Sequence, residues 1–256
     1  KFSKKYYGLP VKEEIGNGFM DHLSFLEGIC SLKPQNRWAL LKFFNTKITR
    51  KGKRFSVRIT TKVGRTANDE DLAASFSIAV LSPIQKWKRL INYVISIASI
   101  LFFGFVYKPF GKIILTGIFE QSPKNKNRYI DLMKDNIPFI NCPPSNKEID
   151  VFLSHSKSLV EALFLKGWLK ERVKIPSRKA LLDKITDVCH PMGGTPMNID
   201  TKKSIVTRDL ELINCPKIWV NSASVFPSGN HSNPTMTLLA FSDRLANHIL
   251  NLYILY

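Results

Sequence analysis

The chain has 256 residues, a length that suits one large domain or two modest ones. Hydrophobic residues make up 44% and charged residues 23%, an ordinary globular composition that can bury a sizeable core. The net charge of +18 would attract phosphate or anionic lipid, but the sequence has no zinc-finger spacing and no aromatic-rich RNA-binding strand. We therefore interpret the charge as a generally basic surface and expect no specific nucleic-acid partner.

The four cysteines, Cys30, Cys142, Cys189 and Cys215, are widely spaced and form no CxxC pair. No charged-then-apolar signal segment opens the sequence. Both features favour reduced thiols and a cytoplasmic protein, with a disulfide-bonded protein as the alternative.

The first half of the chain starts with a polar segment, residues 1–22, and reaches a basic run at residues 50–54 that is typical of a tight connection. Residues 54–63 then alternate between apolar and polar side chains, which predicts a half-buried antiparallel strand. One face of this predicted strand carries Phe55, Val57, Ile59, Thr61 and Val63.

The segment Ile91–Tyr107 contains no charged residue and lies between Arg89 and Lys108. It is slightly short for a membrane-spanning helix, which needs about 20 apolar residues. We expect a buried or interface helix. A helix lying on a membrane surface beside its basic flanks and a spanning helix are the alternatives. A second predicted strand follows at Lys112–Phe119.

The second half of the chain predicts two helices, because apolar residues recur at helical spacing in Lys157–Val173 and in Arg178–Val188. A short strand is predicted at Lys217–Val220. A last helix follows Asn233 and runs to about Asn251.

The start of that last helix is chemically informative. Asn233 suits the N-cap and Pro234 the first helical position, so the free N–H groups of the helix would face whatever precedes it. An anion, or a group that becomes anionic, is the natural ligand there. The local pattern leaves open whether Asn233 is merely a cap. It leaves open, likewise, whether His190 is structural, and whether Gly193 and Gly194 form a plain turn or a close backbone approach.

The ordered blocks of the sequence resemble those of the glucose–methanol–choline oxidoreductases. The match is spread over residues 16 to 249 and is dense in residues 189–249. Its blocks, in chain order, are Gly16–His22, Glu120–Pro123 with Asn127 and Arg128, His190–Met197, Ser222–Pro227 and Asn233–Thr237.

The resemblance implies an FAD-dependent enzyme that oxidises an alcohol by hydride transfer to flavin N5. His190 would hydrogen-bond the substrate hydroxyl and take its proton, a task that suits an imidazole with an unperturbed pKa of about 6.5. Asn233 would pair with it, and His231 is the rival partner.

The resemblance also implies the flavin contacts. The segment around Ser222 and Ala223 would run along the flavin and its ribityl chain. Asn233, Pro234 and Thr235 would lie near the pyrimidine end of the ring, where a helix amino end favours negative charge.

The resemblance covers the C-terminal half of such an enzyme. Gly16–Asp21 lacks the third glycine of a G-x-G-x-x-G loop and follows no apolar strand, so we expect the pyrophosphate-binding half to lie outside this chain. The expected fold is α/β. Residues 23–180 would form a substrate domain with a mostly antiparallel sheet, and residues 1–22 and 181–256 the C-terminal part of a Rossmann-like FAD-binding domain.

These observations predict an FAD-dependent oxidoreductase that acts on the CH–OH group of an alcohol or sugar and passes electrons to an acceptor that the sequence does not identify. The alternative is a catalytically inactive basic protein that associates with a membrane surface through residues 91–107. A nucleic-acid-binding protein, suggested by the charge alone, is the third hypothesis.

Overall fold

The computed structural model describes residues 15–49, 51–61, 72–133, 137–200 and 203–254. Its helices are α1 (Pro34–Phe44), α2 (Lys86–Phe103), α3 (Asn146–Leu165), α4 (Arg178–Leu182) and α5 (Thr235–Ile254). Its strands are β1 (Leu23–Cys30), β2 (Lys47–Ile48), β3 (Arg54–Phe55), β4 (Ile59–Thr60), β5 (Ala74–Val80), β6 (Ile113–Phe119), β7 (Tyr129–Leu132), β8 (Pro138–Asn141) and β9 (Thr186–Asp187).

A five-stranded sheet in the order β4-β5-β6-β1-β9 forms the centre of the fold. All neighbouring strands in it are antiparallel, and the end of β6 at Phe119 lies opposite both Leu23 of β1 and Ala74 of β5. Two smaller sheets pair β2 with β3 and β7 with β8. The predicted α/β class with a mostly antiparallel sheet is confirmed.

Strand β6 corresponds to the strand predicted at Lys112–Phe119. Its side chains alternate between buried and half-buried positions, with Ile113, Leu115 and Phe119 on the buried face. Successive side chains of a strand point to opposite faces, so one face of β6 enters the core. The predicted strand is confirmed and begins one residue later, at Ile113.

The predicted single strand over residues 54–63 is wrong, because its two ends pair with different neighbours. Arg54 and Phe55 form β3 and pair with β2, whereas Ile59 and Thr60 form β4 and pair with β5. Phe55 is consequently 48% exposed. Val63 lies outside the described residues.

Helices α1 and α3 close the apolar core against the sheet. The buried side chains that they contribute include Leu40, Leu41 and Phe44 from α1 and Ile149, Phe152 and Leu163 from α3. The start of α3 is fixed by a capping box, in which Ser145 Oγ accepts the Glu148 N–H and the Glu148 carboxylate accepts the Ser145 N–H.

The predicted helix bounds in this region were wrong. Helix α3 starts well before Lys157, because the capping box sets its beginning, and it ends before Gly167, whose φ of +69° turns the chain away. The predicted helix Arg178–Val188 is reduced to α4, because Thr186 and Asp187 pair with β1 instead.

The uncharged segment Ile91–Tyr107 forms most of α2. This helix packs against the rest of the protein through polar side chains, not through its large apolar ones. Asn92, Ser96 and Ser99 are the buried side chains of this helix, and large apolar side chains on the opposite face are exposed. A spanning helix is excluded for the described residues, since none of their helices is long and apolar enough to cross a membrane.

The predicted strand Lys217–Val220 is wrong. It contributes a single bridge, between Trp219 and Glu211, because Lys217 has a φ of +66°, which no extended strand accommodates. The chain here is built mainly of turns.

Helix α5 starts one residue later than expected. The Pro234 carbonyl accepts the first helical hydrogen bond, from Leu238 N–H at 3.0 Å, so Pro234 occupies the cap position that was predicted for Asn233. A proline has no N–H to leave unpaired, so its presence at the start of the helix removes no helical hydrogen bond.

The described residues form two apolar cores. The larger core draws its buried members from residues 23–181, around the central sheet. The smaller core joins Met20 to residues between Met192 and Leu245. The assignment of residues 1–22, 23–180 and 181–256 to substrate and FAD domains stays a prediction, and residues 1–14 lie outside the described part.

Candidate active site

A buried carboxylate organises the candidate site. Asp21, 7% exposed, accepts the backbone N–H of His22 at 2.6 Å and the backbone N–H of His190 at 2.9 Å through one oxygen, Oδ1. Residues that lie 169 positions apart in sequence are thereby joined at one atom. Hydrogen bonds to a charged acceptor are stronger than neutral ones, so Asp21 fixes where both histidine backbones lie.

The block Glu120–Pro123 holds Asp21 from the other side. The Asp21 N–H donates to Gln121 Oε1 at 2.8 Å, and Gln121 is 1% exposed. The thiol of Cys142 also donates to Gln121 Oε1, at 3.4 Å. Gln121 of this block therefore positions Asp21, and Asp21 in turn positions the two histidines.

Arg128 and Glu148 form a buried ion pair beneath that block. Arg128 Nη1 donates to the two oxygens of Glu148 at 2.8 and 3.0 Å, and the side chains are 0% and 1% exposed. The same carboxylate accepts the Ser122 N–H at 2.7 Å, and Arg128 Nη2 donates to the Ser122 carbonyl. A buried charge pair requires such additional hydrogen bonds to offset its desolvation.

The two histidine rings meet directly. Nδ1 of His22 and Nδ1 of His190 lie 3.1 Å apart, with the ring planes 79° apart. His22 is fully buried, whereas His190 is partly exposed. Burial lowers the pKa of His22. The backbone of Asn230 acts in the opposite direction and raises this pKa. Within the described residues, Nε2 of His22 makes no hydrogen bond of normal geometry.

Glu120, the first residue of the block that holds Asp21, has a carboxyl group with a raised pKa. It accepts the Ala73 N–H at 3.0 Å and lies against Gly229, close to the Asn230 segment. Burial raises the pKa of Glu120 to about 7 from its ordinary 4.5, and the Ala73 hydrogen bond only partly offsets this.

The segment His190–Met197 is held by backbone hydrogen bonds to the other blocks of the resemblance. Met20 and Met192 exchange N–H···O bonds of 2.8 Å, and Gly193 N–H donates to the Ala223 carbonyl at 3.2 Å. Gly193 has a φ of +78°, and a Cβ there would lie 2.2 Å from the Gly18 carbonyl oxygen. Its close backbone approach is therefore to the protein itself.

Asn233 lies exposed in an open polar groove of about 400 Å³, and within the described residues its side chain makes no hydrogen bond. The pKa of His231 in this groove is lowered by burial and by the nearby Arg58. The groove is lined by Ser56, Arg58, Thr60, Ser75, His231 and Asn233.

Not all the predicted site residues come together. His190 meets His22, and no hydrogen bond in the described part of the chain joins it to Asn233. Ser222 lies exposed beside a short 3₁₀ turn at Ala223–Val225, where Ser222 Oγ accepts the Ser224 N–H.

Pro234 and Thr235 lie at the start of α5, next to the groove. The assigned roles of these residues stay predictions.

Sequence reasoning missed three residues of the site: Asp21, His22 and Glu120. Asp21 and His22 belong to the block Gly16–His22, and Glu120 belongs to the block Glu120–Pro123, so the family resemblance already included all three residues. Their roles depend on contacts across the fold, such as the 168-residue separation of the two histidines, which no local pattern reveals.

The groove fits part of an FAD molecule, the cofactor that the resemblance implies. Two of its lining residues, Ser75 and His231, each have a buried polar atom with no hydrogen-bond partner in the described residues, which a polar ligand would satisfy. Arg58 and the amino end of α5 add positive potential.

Comparison with known proteins relates part of this chain to one family. Residues 157–242, which include His190 and Asn233, match the C-terminal domain of the family described as GMC oxidoreductase. No curated protein matches the sequence.

Solved structures match most of this chain. Formate oxidase from Aspergillus oryzae, in a variant used to study FAD modification, has a TM-score of 0.53 at 14% identity, over 94% of this chain and 48% of its own. Another formate oxidase structure gives 0.53 at 15% identity, over the same shares. Pyridoxine 4-oxidase from Mesorbium loti gives 0.47 at 14% identity, over 92% of this chain and 43% of its own.

The chain thus spans less than half the length of each of these structures, and the formate oxidase structures share its fold. The predicted resemblance is confirmed: residues 157–242 match the C-terminal domain of the GMC oxidoreductases.

Proposed function

We propose that the chain is the substrate-facing part of an FAD-dependent oxidoreductase that oxidises the CH–OH group of an alcohol or sugar. The observation that supports this best is the His22–His190 pair, held by one buried carboxylate, with His190 inside the matched family domain. A general base must have a fixed position and a free ring nitrogen, and this arrangement offers both.

FAD, when bound, supplies the hydride acceptor, flavin N5. On this chain we assign its contacts to Ser222, Ala223, Asn233, Pro234 and Thr235. The amino end of α5 would stabilise negative charge at the pyrimidine edge by about 0.3–2 kcal/mol. The exposed amide of Asn233, free of other hydrogen bonds in the described residues, is available to donate there.

The substrate proton goes to Nε2 of His190 when the substrate O–H bond breaks. Nδ1 of His190 is not available, because it lies 3.1 Å from Nδ1 of His22. Two neutral imidazoles share one hydrogen bond only if one of these nitrogens donates and the other accepts.

We infer that His190 donates in that hydrogen bond. The ring of His22 stays neutral because burial lowers its pKa, so its Nδ1 is able to accept. Nδ1 of His22 then accepts, Nδ1 of His190 keeps its proton, and Nε2 of His190 carries the lone pair that a base needs.

The test uses a protein that includes the upstream half of the family fold. Its visible spectrum reports bound flavin, and the reduction of an acceptor dye reports turnover with aliphatic alcohols and sugars. We expect His190→Ala to keep the flavin spectrum and to lower kcat by about 10²–10⁴-fold, the usual range for losing a general base. His248→Ala, on half-buried His248 of α5, is the control and should retain kcat.

Two results would end the proposal: a protein that never binds flavin, or His190→Ala with full turnover. The tautomer is tested separately by ¹⁵N NMR of labelled histidines. We expect His190 to be protonated at Nδ1, and protonation at Nε2 alone would refute the inferred direction of the hydrogen bond.

A further inference from the structure

Helix α2 presents a continuous apolar stripe to solvent. Leu90, Val94, Ile97 and Leu101 are 63%, 56%, 44% and 76% exposed. Their spacing of four, three and four residues places them on one face of a helix. Further large exposed side chains border this stripe: Trp87, Tyr93, Phe102 and Phe103. A surface helix of a globular protein normally turns such a stripe toward the core, so α2 is oriented the opposite way.

The buried face of α2 is polar, and its polar groups are satisfied by the chain that follows the helix. The Asn92 side chain exchanges two hydrogen bonds of 2.9 Å with the backbone of Phe110. Ser96 Oγ donates to the Tyr107 carbonyl at 2.9 Å, and Ser99 Oγ accepts the Tyr107 N–H at 3.0 Å. These contacts fix the rotation of α2 about its own axis and thereby hold its apolar face toward solvent.

The exposed stripe lies at the end of the sheet that is remote from the histidine pair. Helix α2 leaves the sheet after Val80 and returns to it at Ile113, and these two residues pair with each other. The candidate site adjoins the other end of β6, at Glu120. Seven residues of strand separate the two ends by about 20 Å. The stripe and the candidate site therefore lie at opposite ends of β6.

The positive charge of the chain is concentrated in the part of the sequence that contains α2. Residues 28–119 contain sixteen lysines and arginines but only three acidic residues. The β2–β3 pair adjoins the C-terminal end of α2, since the Ile48 N–H donates to the Gly104 carbonyl at 2.6 Å. Basic side chains thus flank the stripe at both ends, with Lys86, Lys88 and Arg89 at one end and Lys51, Lys53 and Arg54 at the other.

We propose that α2 binds the surface of an anionic phospholipid bilayer, lying in the interface with its apolar stripe among the upper acyl chains. An apolar helix face bordered by lysine, arginine and aromatic side chains is the arrangement that such interfacial helices have. The basic flanks would contact anionic headgroups, and Trp87 and Tyr93 suit the same depth. A neutral apolar partner surface would explain the stripe but not the flanking charge.

Vesicle sedimentation tests this with the purified chain. We expect binding to vesicles of phosphatidylcholine with phosphatidylserine, weaker binding to phosphatidylcholine alone, and loss of binding between about 0.1 and 1 M NaCl, where screening shortens from about 10 to 3 Å. The double variant Ile97→Gln, Leu101→Gln should weaken binding about tenfold or more, because it removes apolar contact. The matched control, Leu165→Gln with Ile199→Gln, changes side chains that are 72% and 102% exposed elsewhere and should bind as the wild type does.

The charge contribution is tested by Lys86→Gln with Lys88→Gln, against Lys157→Gln with Lys203→Gln as the control. Only the variant Lys86→Gln, Lys88→Gln should bind anionic vesicles more weakly than the wild type does. Absence of binding at low salt, or equal binding by the α2 variants and their controls, would overturn the proposal. A dimer that the α2 variants dissociate, with vesicle binding unchanged, would assign the stripe to a second copy of the chain and overturn it as well. The proposal does not depend on flavin binding or turnover, so either idea can fail alone.

Discussion

Two regions of this molecule are held together by different forces. The sheet region, residues 23–181, is joined by apolar side chains that pack between the central sheet and helices α1 and α3. The region around His190 is joined mainly by backbone hydrogen bonds between loop segments and by the single carboxylate of Asp21. The difference teaches that side-chain volume should decide stability in the first region, whereas individual polar atoms decide geometry in the second.

The ion pair of Arg128 and Glu148 holds Ser122, next to the Gln121 that contacts Asp21, and breaking this pair should have the largest effect. In Arg128→Met the Glu148 carboxylate stays buried without its cation, which costs about 3–5 kcal/mol of unfolding free energy. Urea denaturation followed by circular dichroism measures this. The control is Arg172→Met, which breaks the exposed pair with Glu161 and should change stability little. Equal effects of the two variants would contradict the importance of burial.

The sheet core should be more sensitive to lost volume than the smaller core. Leu115 on β6 is 0% exposed, and Leu115→Ala should cost about 2–5 kcal/mol. Leu245 on α5 is 8% exposed and belongs to the smaller core, so Leu245→Ala should cost less. The comparison of the two regions fails if the same denaturation measurement ranks them in the reverse order.

The pH dependence of stability should come from the site side. Glu120 has a pKa of about 7 in the folded chain and about 4.5 as an ordinary glutamate, so between these values the folded state binds more protons. Stability then falls as pH rises through this window, by about 3 kcal/mol for this group. Glu120→Gln should match the wild type at pH 4 and exceed it at pH 8 in urea denaturation. Asp183→Asn, at an exposed residue, should keep the wild-type slope. If the unfolding free energy of Glu120→Gln depends on pH as that of the wild type does, the titrating group is a different residue.

The sequence was informative where local chemistry decides the structure. The strand β6, the helix α2 in the uncharged segment Ile91–Tyr107 and the helix α5 after Asn233 were each predicted as the right type of element. The capping box of Ser145 and Glu148 is visible in the sequence and marks the start of α3, which apolar spacing alone does not locate. Residues 54–63 show the limit, because their alternation fits a strand, and only the choice of pairing partner divides them.

The candidate site was predictable only in part, because its central contacts are long-range. His190 was identified through a family resemblance, but its neighbour His22 and its anchor Asp21 are fixed by the fold. The orientation of α2 was unpredictable for a related reason. Its serines and asparagine interrupt an otherwise apolar segment, and their backbone partners lie in the loop after the helix.

The smallest predicted effect concerns Asn233. The sequence predicted this residue as the helix cap, but in the structure Pro234 occupies the cap position. Asn233→Ala should change the free energy of unfolding by less than about 0.5 kcal/mol, because its side chain is exposed and makes no hydrogen bond in the described residues. Ser145→Ala is the matched control, since it removes a real cap and should cost about 0.5–2 kcal/mol. If Asn233 contacts the flavin, turnover of the complete enzyme should fall in Asn233→Ala while stability holds. An equal loss of stability in both variants would restore the capping role, and the amide would then not be free to serve the cofactor.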